Sequence, residues 1–384
     1  MLVTVTHDEI RRRIGERNRN PQQRPYAAIM KSADTCNNSC TYCYVEPHST
    51  VPIMTKETAE IAIRTILEYV GPNRQVNFIW HGGEPLLAGL PFFKHIADVC
   101  DEYVENRIEN SIQTNGTLLN EEFLELCVNR HILISLSIDG PKDIHDLMRK
   151  DKGGRGTFYQ VMDAVAMIRN VGLPVGCVTV LHQQNLHHIE RMYKFFRDND
   201  INFRINPIVK SGRATRAYNE LSITPKEYGE AMCKLFDLWF EEDGPIQIEP
   251  LETIVGNLIG PTVWGCDYHG TCLLSIISVN PDGGLYPCGR FAGLENFKLG
   301  DININSDFEA MFESSLFKRL SSRSPLTVSG CSDCEFVEIC NTGCMVTAFM
   351  GRNRIEDPDY YCYGRRMLFS HIFNALIGHL RDVQ

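Results

Sequence analysis

The chain has 384 residues, 43% hydrophobic and 22% charged, which is ample for a sizeable core and too long for one average domain. Its formal net charge of −10 leaves no basic footprint for nucleic acid. No apolar run reaches the ~18 residues of a membrane span and no signal-peptide core follows Met1, so the fifteen cysteines are expected in a reducing cytoplasm, where clustered spacing means metal.

Residues 1–25 are polar and rich in arginine, and are expected to be a solvated extension with a short helix over 5–17. From Tyr26, strands and helices alternate. Ala27–Met30 reads as a buried strand running straight into a cysteine loop. Further strands are expected at 76–80, 110–114, 133–138, 175–180 and 202–206. Helices fall between them at 55–69, with Thr55 as N-cap, and at 91–106, 121–129, 157–171 and 189–199. Six strands, each reached through a helix, imply a parallel sheet with right-handed crossovers. Ligands of such sheets bind beyond the carboxyl ends of the strands. The cysteine loop, His81–Pro85, Gln113–Gly116 and Asp139–Gly140 all lie at those ends. Periodicity alone does not separate a partial barrel from an open doubly wound sheet.

A break containing Gly212 and Pro225 spans 211–225, followed by helices at 225–242 and 250–258. After Gly260 the texture changes to short strands, glycine turns and eight of the fifteen cysteines. A last helix over 365–382 carries an apolar stripe of Leu368, Ile372, Phe373, Leu376 and Leu380.

Cys36, Cys40 and Cys43 are spaced C-x3-C-x2-C. Three thiolates on a short loop can hold three irons of a 4Fe–4S cube and leave the fourth open to a substrate or cofactor. Three cysteines alone would also suit a zinc knuckle or simple packing. The spacing, with aromatic Tyr42 before the third cysteine, resembles the radical S-adenosylmethionine (SAM) superfamily. That resemblance implies a partial (β/α)6 barrel of the TIM type, SAM on the open iron, and a 5′-deoxyadenosyl radical that abstracts a substrate hydrogen. It extends to Gly82, Gly83 and Glu84, which match the segment that binds SAM's amino group, and counts Tyr42 among the cofactor contacts. Ser137 and Arg149 match residues that meet the ribose and the carboxylate, the latter suited to a guanidinium fork.

The array Cys272, Gly283, Cys288, Cys331-x2-Cys334-x5-Cys340-x3-Cys344 and Cys362 resembles the SPASM domain, and Cys266 supplies an eighth cysteine. The resemblance implies two auxiliary clusters: one on Cys266, Cys272, Cys288 and Cys344, the other on Cys331, Cys334, Cys340 and Cys362. With the first loop this makes three 4Fe–4S clusters. The C-x2-C-x5-C-x3-C run by itself could bind zinc. Cys100, Cys127, Cys177 and Cys233 are expected to be packing residues. The expected organisation is an extension (1–25), a barrel (26–215), a helical bridge (216–260) and a cysteine-rich module with the C-terminal helix (261–384).

Sulfatase maturases of this family place an aspartate base directly after the third cysteine of the array, where this chain has Gly289-Arg290. The segment Tyr286–Phe291 looks more like maturases of ribosomally made peptides. The expected reaction is therefore an intramolecular cross-link, a carbon–carbon cyclophane first and a thioether second, on a precursor peptide. The alternatives are an anaerobic sulfatase maturase using another base, and a non-catalytic iron–sulfur electron carrier. Arg290 is a candidate for orienting the peptide, Asp267 and His269 are candidate bases, and reduced flavodoxin or ferredoxin is the expected electron donor.

Overall fold

Tyr26, Ala28 and Met30 are buried while Ala27 and Ile29 are half-buried, the period-two alternation of a strand with one face in a core and the other on a more open interior. A computed structural model, describing residues 26–45, 51–260, 262–268, 270, 272–304 and 308–382, forms this segment as β1 (Tyr26–Ala33). The helix expected over 5–17 lies outside the described residues. β2 (Gln75–Gly82), β3 (Arg107–Thr114), β4 (Leu133–Ser137), β5 (Gly176–Leu181) and β6 (Asn202–Pro207) follow, each pairing in parallel with the one before.

The outer face of the sheet is covered by the crossover helices. Lys56–Val70 begins at Thr55, whose side chain accepts the Thr58 N–H at 3.1 Å, and it buries Ala59, Ala62, Ile63 and Ile66. Leu90–Asp101 stops before the expected 106 and sets Phe92 and Phe93 edge-on against Trp80 of β2. Fully burying a side chain such as Phe93 or Ile63 contributes about 1.5–3 kcal/mol. The remaining crossovers are Glu121–Asn129, Phe158–Asn170 and Ile189–Asp198, with a short helix Lys142–Met148 after β4.

Two features differ from the expected pattern. The stretch read as a break contains a helix, Ala214–Leu221, which reaches the sequence level only as its flanking Gly212 and Pro225. It rests on the cysteine loop: the Ala214 N–H donates to Cys43 O at 3.0 Å, and a Cβ on Gly212 would stand 2.3 Å from Tyr44 O. The sheet also continues beyond six strands. β7 (Ile248–Glu249) adds to β6, and β8 (Ile276–Val279), β9 (Gly284–Tyr286) and β10 (Gly300–Asp301) extend the other edge. The order is β10-β9-β8-β1-β2-β3-β4-β5-β6-β7, and the sheet does not close. β8 lies parallel to β1, with Ala27 opposite Ile276 and Met30 opposite Val279, so the cysteine-rich segment joins directly to the strand that feeds the first cysteine loop.

The C-terminal helix, Cys362–Asp382, crosses the helix Pro225–Glu241 closely because Gly229 and Gly364 meet there. A Cβ on Gly364 would lie 2.0 Å from Pro225 O. Leu368 and Ile372 are buried at this contact, Phe373 and Leu376 pack at its margin, and the side chain of Leu380 lies outside the described residues. Among the described residues no helix is long and apolar enough to cross a membrane.

Candidate active site

The first cysteine loop is held from two sides by backbone. Gly83 N–H donates to Ala33 O at 2.8 Å and Glu84 N–H to Thr35 O at 2.9 Å. That approach requires both glycines, since a Cβ on Gly82 would lie 2.0 Å from Ala33 O and one on Gly83 2.2 Å from Thr35 O. Opposite them, Ser39 N–H donates to Lys150 O at 2.7 Å and Thr41 N–H to Met148 O at 3.2 Å. Cys36 Sγ receives the Asn38 N–H at 3.3 Å and Asn115 Nδ2 at 3.7 Å.

Cys36, Cys40 and Cys43 are half-buried and act on one another. Burial, helped by neighbouring sulfur charges, pushes the Cys36 thiol up to about 11 and, against Arg149, the Cys40 thiol up to about 12. Crowded soft donors that resist ionising alone suit an iron–sulfur cluster, whose irons hold them as thiolates.

Beneath the loop lies a buried polar network. Tyr42 Oη donates to Asp139 Oδ2 at 2.5 Å, and Arg149 grips the same carboxylate through Nε at 3.0 Å and Nη2 at 3.2 Å. The Arg149 guanidinium lies 5.3 Å from the Tyr42 ring centroid. Burial alone would raise the Asp139 carboxyl, but Arg149, His145 and Tyr42 hold it below the usual range. Glu84 is fully buried: Oε1 accepts from Leu86 N at 3.1 Å and Thr114 Oγ1 at 2.6 Å, and Oε2 from Asn115 N at 2.8 Å. It thereby ties the end of β2 to the end of β3, while burial pushes its carboxyl up to about 7 against those three donors. Ser137, half-buried at the end of β4, accepts from Gln113 Nε2 at 3.3 Å.

The eight downstream cysteines fall into two groups. Cys266 is exposed as a residue, yet desolvation of its sulfur, then Asp267, Cys344, Cys272 and Cys288, raise its thiol. These four cysteines line a small cavity of about 30 Å3. Cys331 feels Cys362 and Cys334 after burial, and Cys340 feels Cys362 and Cys331. Among the described residues no three Cys, His, Asp or Glu side chains are drawn together as on a single ion. Four thiols spread around a cavity suit a cluster, in which each sulfur binds a different iron. Cys100, Cys127 and Cys177 are buried and Cys233 is half-buried.

Asp267 is held in an ion pair with Arg365 at 2.9 Å, and Arg365 also reaches Tyr268 Oη at 3.1 Å. Burial would raise the Asp267 carboxyl, yet Arg365, Arg290 and Arg204 keep it well below the usual range. Arg290 is half-buried, and its side chain has no hydrogen bond or ion pair among the described residues. His269 lies outside them. Sequence reasoning missed Lys31, Tyr44 and His81. Lys31 and His81 are register partners on β1 and β2, and Tyr44 Oη lies 3.4 Å from His81 Nε2. Lys31 is buried, which lowers its pKa, while Asp34, Cys43 and Cys288 favour its charge, so it lies between the first loop and the cavity thiols. A lysine and a histidine ending two otherwise apolar strands were the available signal.

Two family models match the chain: the Radical SAM superfamily over residues 30–196, and SPASM, an iron-sulfur cluster-binding domain, over 271–335. The chain is similar to the cysteine-type anaerobic sulfatase-maturating enzyme of Clostridium perfringens (strain ATCC 13124), 29% identical over 374 residues covering 94% of this chain and 100% of that one. It is also similar to the serine-type enzyme of Bacteroides thetaiotaomicron, 29% identical over 375 residues, covering 90% and 89%. Among solved structures it resembles native anSMEcpe with bound AdoMet and Cp18Cys peptide, with TM-score 0.81 and 27% identity over 94% and 100% of the two chains. These full-length likenesses overturn the expectation of a peptide cross-linking or cyclophane-forming maturase. That expectation rested on Gly289 and on the look of the Tyr286–Phe291 segment. A Cβ at Gly289 would stand 3.0 Å from Ile29 Cγ2 of β1, a close contact that needs Ile29 to give by a few tenths of an ångström.

Proposed function

The chain belongs to the radical SAM superfamily and carries a SPASM domain, and from that premise we propose that it oxidises a cysteine or serine side chain of a sulfatase to formylglycine. The observation that carries this reading is the match, over nearly the whole of both partners, to cysteine-type and serine-type sulfatase maturases alike. The cofactors are SAM and iron–sulfur clusters, which together supply a radical able to take hydrogen from an unactivated carbon.

Cys36, Cys40 and Cys43 hold the first cluster in this reading, and Tyr42, Ser137, Arg149 and the Gly82–Glu84 segment surround SAM. Cys266, Cys272, Cys288 and Cys344 hold a second cluster and Cys331, Cys334, Cys340 and Cys362 a third, with reduced flavodoxin or ferredoxin as electron donor. Oxidation of the side chain removes a Cβ hydrogen atom, one further electron and the proton on sulfur or oxygen, which yields the aldehyde directly from serine and a thioaldehyde from cysteine that water hydrolyses with loss of hydrogen sulfide. A cluster held by Cys266, Cys272, Cys288 and Cys344 would supply the one-electron acceptor. His81, opposite Lys31 in register, is kept neutral because burial and then Lys31 lower its pKa to about 4, which makes it a weak base for this proton.

The test uses anaerobically reconstituted protein, SAM, a reductant and peptides carrying a sulfatase active-site sequence with cysteine or serine. Aldehyde formation in step with 5′-deoxyadenosine, read by mass spectrometry, is the expected result. Release of 5′-deoxyadenosine with no aldehyde from either peptide would overturn the reading.

A further inference from the structure

Arg323 follows the helix Ser315–Ser321 and is 8% exposed. Its Nη1 donates to Ile355 O and, at 2.8 Å, to Asp357 O, and its Nη2 donates to Thr342 O at 2.9 Å. Three backbone carbonyls therefore fix the plane of the guanidinium. The Nε–H differs: it is buried and has no partner among the described residues. A buried donor left without an acceptor is destabilising.

The same side chain forms part of the wall of the cavity lined by Cys266, Cys272, Cys288 and Cys344. Burial lowers the pKa of Arg323, and against this Asp359, then Cys344, Cys331 and Cys272, favour its charge. Arg365, the other buried arginine of this region, also has an Nε–H without a hydrogen bond, but that group lies 3.4 Å from the Asp359 carboxylate, and its other nitrogens reach Asp267 at 2.9 Å and Tyr268 at 3.1 Å. Of the two, Arg323 is the one in the wall of the thiol-lined cavity.

We propose that Arg323 is a positioning residue for the cluster on Cys266, Cys272, Cys288 and Cys344, donating its Nε–H to a sulfur of that cluster and holding a fixed positive charge beside it. Reduction adds negative charge, so both effects stabilise the reduced form and raise the potential. Arg323 thereby makes this cluster a better acceptor for the electron released from substrate. The inference rests on the cluster assignment of the proposed function and does not depend on which substrate is oxidised.

The test is a redox titration of the full, reconstituted chain, followed by electron paramagnetic resonance without substrate. Arg323→Gln is expected to lower the potential of this cluster by about tenfold in its one-electron equilibrium, about 59 mV, and to leave the other potentials unmoved. Equal potentials in wild type and variant would overturn the proposal. Because the substitution also strips three carbonyls of their donor, a second measurement uses wild-type protein labelled with nitrogen-15 arginine. Pulsed resonance on the reduced cluster is expected to show a nitrogen coupling that Arg323→Lys removes. Its absence in wild type, or its persistence in a folded lysine variant, sinks the idea. Iron content of Cys272→Ala with Cys288→Ala separates the layers. A full iron complement there removes the cluster assignment and the proposal together, while a missing nitrogen coupling with that cluster present removes the proposal alone.

Discussion

Replacing Asp139 by asparagine leaves Arg149 charged, about nine-tenths buried and without its counter-ion. The amide can still accept from Tyr42 or Thr179, so the change isolates the ion pair rather than the whole network. Breaking a buried pair by removing one partner costs about 3–5 kcal/mol. At about 1.4 kcal/mol per tenfold, local opening should become roughly a hundred- to a few thousand-fold more frequent. Hydrogen exchange read by mass spectrometry on peptides spanning 133–149 measures this directly and avoids a single melting temperature, which a chain of several cooperative units does not define. SAM provides a second reading. If its carboxylate meets Arg149, it restores a negative charge, and SAM should slow exchange more in Asp139→Asn than in wild type. Exchange in the variant within a factor of a few of wild type would refute the ion-pair argument. Equal protection of both proteins by SAM would refute the placement of its carboxylate.

Glu84 titrates with the opposite sign to Asp139. Its pKa is raised from 4.5 to about 7 by burial, so SAM-free protein should lose stability as pH rises through that window, by about 3 kcal/mol in all. Urea unfolding at pH 5 and pH 8 should show this loss, and Glu84→Gln should abolish the slope. Gly83→Ala forces a Cβ to within 2.2 Å of Thr35 O and disrupts the bonds from Gly83 and Glu84 N–H, costing about 2–5 kcal/mol locally. Iron assays should show loss of the first cluster with the others kept, and a full iron complement would contradict the packing. Fully reconstituted protein should carry about twelve irons, from eleven cysteines in three sets. Joint replacement of Cys36, Cys40 and Cys43 should remove about a third of that iron, and an unchanged content would place the first cluster elsewhere.

What the sequence determined by itself was local or periodic. Short apolar runs at 27–30 and 76–80 foretold strands, and Thr55 foretold its cap, because both depend on neighbours a few residues away. The C-x3-C-x2-C loop was legible for the same reason, its donors lying within one turn of chain. Tertiary structure decided everything that joins distant segments. Gly82 and Gly83 read as room for a ligand, and in the fold they also make room for Ala33 and Thr35. Arg149 read as a cofactor contact, and the carboxylate it holds, Asp139, is visible only once β4 and the helix after it are packed. No periodicity pairs Ile29 with Ser278, 249 residues away, yet that parallel contact sets the cavity thiols beside Lys31. It also brings Ile29 against Gly289, the residue whose missing carboxylate misdirected the reading of the reaction. A motif records which donors a chain carries; which neighbours they face depends on packing between segments whose separation the sequence does not encode locally.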